Sequence, residues 1–279
     1  MPIHDQGYRR YLGARDAIGK SWQVMTRAGV MSVISKRVFL GMMLFAWAPF
    51  VVRVVQFYFA TTLAQASFLA PSGETFREFL DQQGIWVFFV TIYVGAGLIA
   101  NDRRANALQL YLSKPMTSAE YIAGKLAILF IFLVAVTFLP AILLLITQAL
   151  LAGNLTFTRN NLYLVPAITL YSLAQVLLAA TTMLALSSLS KSSRFVAVMY
   201  AGLFFFTTAL FQTLRGITGR STFAWLSPAS ALQQLGDVIF RLEPRYQLSP
   251  AVAALAVLVM IAGSILILMR RVRGVEIVT

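Results

Sequence analysis

The sequence has no cysteine, one histidine and only 12% charged residues over 279 positions. Without cysteine there is no disulfide framework, no thiolate metal site and no cysteine nucleophile. The lone histidine, His4, lies in a polar N-terminal stretch. No histidine ligand or histidine general base is therefore available in the apolar part of the chain. A soluble domain carries about 25% charged and about 45–50% apolar residues. Here the apolar share is 59% and the mean hydropathy is +0.76. So little polar surface cannot cover a soluble globule, and a chain this rich in apolar and aromatic residues is not disordered. The remaining class is an integral membrane protein.

Six continuous apolar runs are present, at about 38–57, 84–100, 123–150, 162–186, 195–210 and 251–269. A helix needs about 20 such residues to cross a hydrocarbon core. Continuous rather than alternating runs point to helices, not barrel strands. The expected fold is an all-α polytopic membrane protein of six transmembrane helices with both termini cytoplasmic. Residues 1–37 form a cytoplasmic tail and 38–279 a single membrane domain. The first run starts only at residue 38, with no small-residue cleavage site after it, which does not fit a secretory signal peptide.

The net charge of +13 would point to nucleic acid in a soluble chain. In a membrane chain its distribution decides. Sixteen Lys and Arg fall in the N-terminal tail, the second-to-third and fourth-to-fifth connections and the C-terminal tail. Six fall on the other side, namely Arg77, Arg159, Arg215, Arg220, Arg241 and Arg245, and Arg53 lies within a run. The positive-inside bias explains most of the charge, and no nucleic-acid partner is needed.

Between the runs, Ile18, Trp22, Met25, Gly29 and Val33 recur at helical spacing with Lys20, Gln23 and Arg27 between them. This predicts an amphipathic helix at the inner interface. The outer connection of residues 70–83 carries Glu74, Glu78 and Asp81, so no acid lies inside any run. The last outer connection, Gln212–Ser249, is long and holds apolar stretches too short to cross. A re-entrant or interfacial helix is expected there. Asp102–Leu112 reads as a short amphipathic cytoplasmic helix, with Ala105, Leu108 and Leu112 on one face and Asp102 in its first turn. Pro115 ends it and Ser118 caps the next helix. Such a helix between two long spans is a lever.

That segment reads Asp102-Arg103, Asn106-Ala107-Leu108, Tyr111-Leu112-Ser113-Lys114-Pro115, Ser118-Ala119-Glu120-Tyr121 and Gly124-Lys125. It resembles the ABC-2 type permease family, the membrane subunits of ATP-binding-cassette exporters. The chain departs from the family pattern in Asp102 for Glu, Asn106-Ala107 for Gly-Thr, and Ala119 for a basic residue. Trp225-Leu226-Ser227-Pro228 before the last run resembles a further family feature. The resemblance implies a type V exporter-like fold and a multi-pass protein of a bacterial-type inner membrane. It implies a second permease chain and two ATPase subunits, which would hold ATP and Mg. This chain itself would carry no cofactor and no catalytic residue. The helix at 102–112 would be the coupling helix, with Asp102, Arg103, Leu108, Leu112 and Glu120 contacting the ATPase. The amphipathic N-terminal helix would be a connecting helix beside it.

Other readings compete. Gly13 to Ser21 resembles a phosphate-binding loop but has five residues between its glycines where four are required. An ion-gradient carrier calls for acids inside the spans. An intramembrane enzyme needs a Ser–His pair, paired acids or a metal motif. A non-transporting anchor or scaffold has no sequence feature against it. Polar residues in or beside the runs are candidates for a pathway or a dimer contact, namely Arg53, Gln56 and Gln212. Arg53 lies about 22 Å along its run, where it can also snorkel to the outer edge. Glutamines such as Gln148 and Gln175 more often bond across helices.

Overall fold

A computed structural model describes residues 21–63, 70–107 and 116–272, and every regular element among them is a helix. Six helices are long and apolar enough to cross a membrane: Arg37–Thr62, Gly73–Arg104, Ser118–Ala152, Leu164–Leu189, Ser193–Thr218 and Pro250–Arg271. They are termed spans one to six, and they make this a multi-pass membrane protein. Lipid offers no hydrogen-bond partner, so an apolar run must satisfy its backbone within its own helix.

The helices extend beyond the hydropathy runs, which corrects two expectations. Span two starts at Gly73, so Glu74, Glu78 and Asp81 are on its helix rather than in a loop. Span five reaches Thr218, so Gln212 is helical rather than part of a long loop. Hydropathy marks where apolar side chains begin, whereas a helix continues until a cap ends it. Ser72 supplies that cap for span two, accepting from the Thr75 N–H at 3.3 Å. Gly219, left-handed at φ 67°, ends span five.

Span four is the central helix. It buries residues on all its faces, and spans two and three are also at least half buried over their most apolar stretch. Spans one and five are less than a fifth buried and turn most of their surface outward. The N-terminal helix, Ser21–Ile34, lies against span three. The two backbones meet at Gly124, where a Cβ would stand 3.2 Å from the Trp22 carbonyl oxygen, and Thr26 donates to the Gly124 carbonyl at 3.2 Å. The side bearing this helix and Arg271 is called the terminus side, and the opposite one the loop side. On the loop side a 12-residue helix, Pro228–Ile239, is too short to cross and packs against the ends of spans four and six.

Three spans are interrupted. Span one breaks at Trp47 beside Pro49, and span three at Thr137 ahead of Pro140, as expected where proline removes a backbone donor. Span two widens into a π turn at Thr91–Gly95 and resumes as a helix at Ala100. The backbone groups freed there are taken up by Ser187 of span four. Its Oγ accepts from the Ile99 and Ala100 N–H groups at 3.1 and 3.0 Å and donates to the Ala96 carbonyl at 3.0 Å.

The expected helix over Asp102–Leu112 is not continuous. Span two ends at Arg104, and Asn106 takes a left-handed φ of 53°, so Asp102 and Arg103 belong to the last turn of span two. Asparagine tolerates that conformation better than most residues, which makes it a natural breakpoint. Leu108, Leu112 and Pro115 lie outside the described residues, as does the stretch from Gly13 to Lys20. The next helix is capped by Thr117 rather than Ser118. Thr117 Oγ1 accepts from the Glu120 N–H at 3.2 Å while the Glu120 carboxylate accepts from the Thr117 N–H at 2.9 Å.

Candidate functional site

Two clusters of charge stand at opposite ends of the helix bundle. On the terminus side, Asp102 at the end of span two accepts from the Tyr121 hydroxyl at 2.6 Å and pairs with Lys125 at 2.7 Å. Tyr121 and Lys125 are one turn apart at the start of span three, so they present to the same neighbour. Arg103 donates to the Ser188 carbonyl at the end of span four. The terminus-side ends of spans two, three and four are thus tied together around the connection at 105–117. Asp102, Arg103 and Glu120 all have partners within the chain. Asp102, Tyr121 and Lys125 of the motif-like segment converge in space, and Gly124 beside them admits the N-terminal helix.

On the loop side, Arg77 of span two has a fully buried side chain. It pairs with Asp237 of the loop-side helix at 3.1 Å and with Asp81 one turn along its own helix. It also donates to the Gln233 carbonyl at 2.8 Å and lies over the Tyr171 ring at 4.9 Å. Arg245 closes the cluster from the last connection, reaching Asp81 at 2.9 Å and Asp237 at 3.2 Å. Tyr171 donates to Asp81 at 3.0 Å. Two arginines and two aspartates balance in charge, as a buried site requires. Burial pushes the Asp237 carboxyl up from its ordinary value, against the opposing pull of Arg77 and Arg245. Gly236 makes room for this packing, since a Cβ there would stand 2.5 Å from Arg77 Nε and 2.6 Å from Tyr171 Cε2.

The candidates within the runs are placed as follows. Arg53 is buried, pairs with Glu78 of span two at 3.0 Å and donates to Gln56 at 3.0 Å. It holds two spans together rather than snorkelling, and Gln56 bonds within its own helix rather than across helices. Gln212 is exposed near the loop-side end of span five. Gln148 and Gln175 do not make the cross-helix bonds expected of them, because the Oε1 atom of each is buried without a partner. Of the four arginines between Gln212 and Ser249, namely Arg215, Arg220, Arg241 and Arg245, Arg245 is spent in the network, Arg241 lies over Tyr163 at 4.7 Å, and Arg215 over Tyr246 at 6.0 Å.

The loop-side network was not apparent from hydropathy, but one local signal existed. Arg77 and Asp81 are spaced as a helical ion pair. Nothing local indicated that Asp237 and Arg245 would join them. Among the described residues, no cluster of three or more His, Asp or Glu side chains is arranged to hold a metal ion. Compared with models of protein families and with curated proteins, the sequence matches none of them.

Proposed function

We propose that this chain is the transmembrane permease subunit of an ABC exporter. It pairs with a second permease chain, and two ATPase subunits hold ATP and Mg at their own sites. It catalyses no reaction itself, and the terminus side faces the cytoplasm of a bacterial-type inner membrane. The observation that carries the reading is the terminus-side cluster. The segment that resembles the ABC-2 family ties spans two, three and four together through Asp102, Tyr121, Lys125, Arg103 and Ser188. A push on the connection at 105–117 would therefore be felt by three spans at once. Within this reading, Asp102 and Arg103 transmit the push and do not themselves touch the ATPase. Contact falls to the neighbouring connection, including Leu108 and Leu112, and to Glu120 at the entrance to span three.

The test is purification of the full chain from its native membrane, followed by identification of bound proteins and assay of ATP hydrolysis. A co-purifying ATPase that is lost in Leu108→Asp and Leu112→Asp variants of normal abundance supports the reading. Absence of any ATPase, or retention of a fully active one in both variants, refutes it.

An ion-gradient carrier gains one observation, the position of Glu78 and Asp81 on the helix of span two. Both carboxylates are occupied, Glu78 by Arg53 and Asp81 by Arg77 and Arg245. Transport that stops with an uncoupler while ATP stays high would favour that reading instead.

A further inference from the structure

A cavity of about 420 Å³ lies beside the loop-side network, between spans two, four and five and the loop-side helix. Ligand sites are commonly about 300–1,000 Å³. Its edge includes Ile85, Phe89 and Phe205, which remain exposed on the outward surface of spans two and five, so it opens toward lipid. The two long walls differ in chemistry. On one side Phe88 packs against Phe204 and Phe205 with ring centroids 5.3 and 5.5 Å apart. On the other, span four contributes Tyr171, Gln175 and Thr182, whose spacing of four and seven places them on one helix face.

Gln175 and Thr182 are only 6% and 7% exposed, and Gln175 Oε1 and Thr182 Oγ1 have no hydrogen-bond partner. Buried polar atoms are nearly always paired, so two unpaired atoms on one cavity wall call for a ligand that bonds them. Asp81 is the one acidic or basic residue on the lining, and both of its oxygens are engaged, by Arg77 and Tyr171 on one side and Arg245 on the other. The cavity therefore offers no free charge to a charged head. A hydroxyl group, which both donates and accepts, satisfies an amide oxygen and a threonine hydroxyl alike.

We propose that this cavity binds an uncharged, hydroxyl-bearing lipophilic molecule drawn from the bilayer. Its hydroxyls bond Gln175 and Thr182, and its apolar body lies against Phe88 and Phe204. The proposal rests on the membrane setting and is independent of the permease reading, because the site is complete within one chain.

The test uses the full chain in lipid nanodiscs without any ATPase. Three photoreactive probes share one alkyl chain and differ only in the head: glycerol, trimethylammonium or sulfate. The glycerol probe is expected to label the segments containing Gly84–Phe89 and Leu203–Phe205 in preference to the other two, and excess unlabelled monoacylglycerol is expected to suppress it. Gln175→Leu, similar in size, is expected to lower that labelling about fivefold, the effect of one hydrogen bond, without lowering Tm. Thr182→Val serves as a second variant should Gln175→Leu fail to fold. Equal labelling by all three heads, preference for a charged head, or unchanged labelling in a folded variant overturns the proposal.

Discussion

The two charge clusters use similar residues in different ways. On the terminus side, Asp102 and Lys125 keep 18% and 11% of their side-chain surface exposed. On the loop side, Arg77 and Asp237 are 0% and 1% exposed, and each charge has at least two partners. A partly hydrated pair is weak, because water competes for both ions. A closed, buried network adds little over apolar packing while intact but is costly to open, since removing one ion strands its partners. The loop side is thus built as a lock and the terminus side as a brace that can give.

Arg77→Met sets the upper end of this contrast. It leaves the Asp237 and Asp81 carboxylates to share the single cation of Arg245, and a loss of about 3–5 kcal/mol is expected, seen as a large fall in Tm or in the yield of folded protein. Gly236→Ala probes the same lock by shape alone. Its Cβ would displace Arg77 and Tyr171, with an expected loss of about 1–3 kcal/mol in thermal unfolding. Ser187→Ala, on the terminus side, uncovers the Ile99 and Ala100 N–H groups at the break in span two. It should cost about 1–3 kcal/mol and raise hydrogen exchange locally at residues 96–100. Asp102→Asn keeps an acceptor for Tyr121 but loses the ion pair, and about 1 kcal/mol or less is expected. Arg53→Met should be as mild or milder, because its partner Glu78 is half exposed. The contrast fails if Asp102→Asn proves as damaging as Arg77→Met in the same unfolding assay. A coupling energy for Arg77 and Asp237 well above that for Asp102 and Lys125, measured by double-mutant cycles, would sharpen it.

Much of the architecture could be read residue by residue. The runs beginning at Val38, Gly84, Ala123, Leu162, Phe195 and Ala251 each fall on one long helix. The short helix between Gln212 and Ser249 was also legible, since its apolar stretch is too brief to cross. Helix ends were less so. The Gly73 end of span two is polar, and hydropathy does not see a backbone ladder that continues through Glu74, Arg77 and Asp81. The break after Arg104 was hidden for a related reason: Ala105, Leu108 and Leu112 keep helical spacing, while the left-handed turn at Asn106 has no mark in that pattern.

Sequence alone determined the number of spans and the all-helical class, because lipid leaves an apolar chain no other way to satisfy its backbone. It also determined where charge accumulates along the chain. Which charges meet was decided by the tertiary structure. Arg53 finds Glu78, Asp102 finds Lys125, and Asp237 finds both Arg77 and Arg245 only after the helices pack. Pairing of ions across a bundle depends on helix rotation and depth. Those are set by side-chain packing between spans, which the order of residues along any one span does not contain.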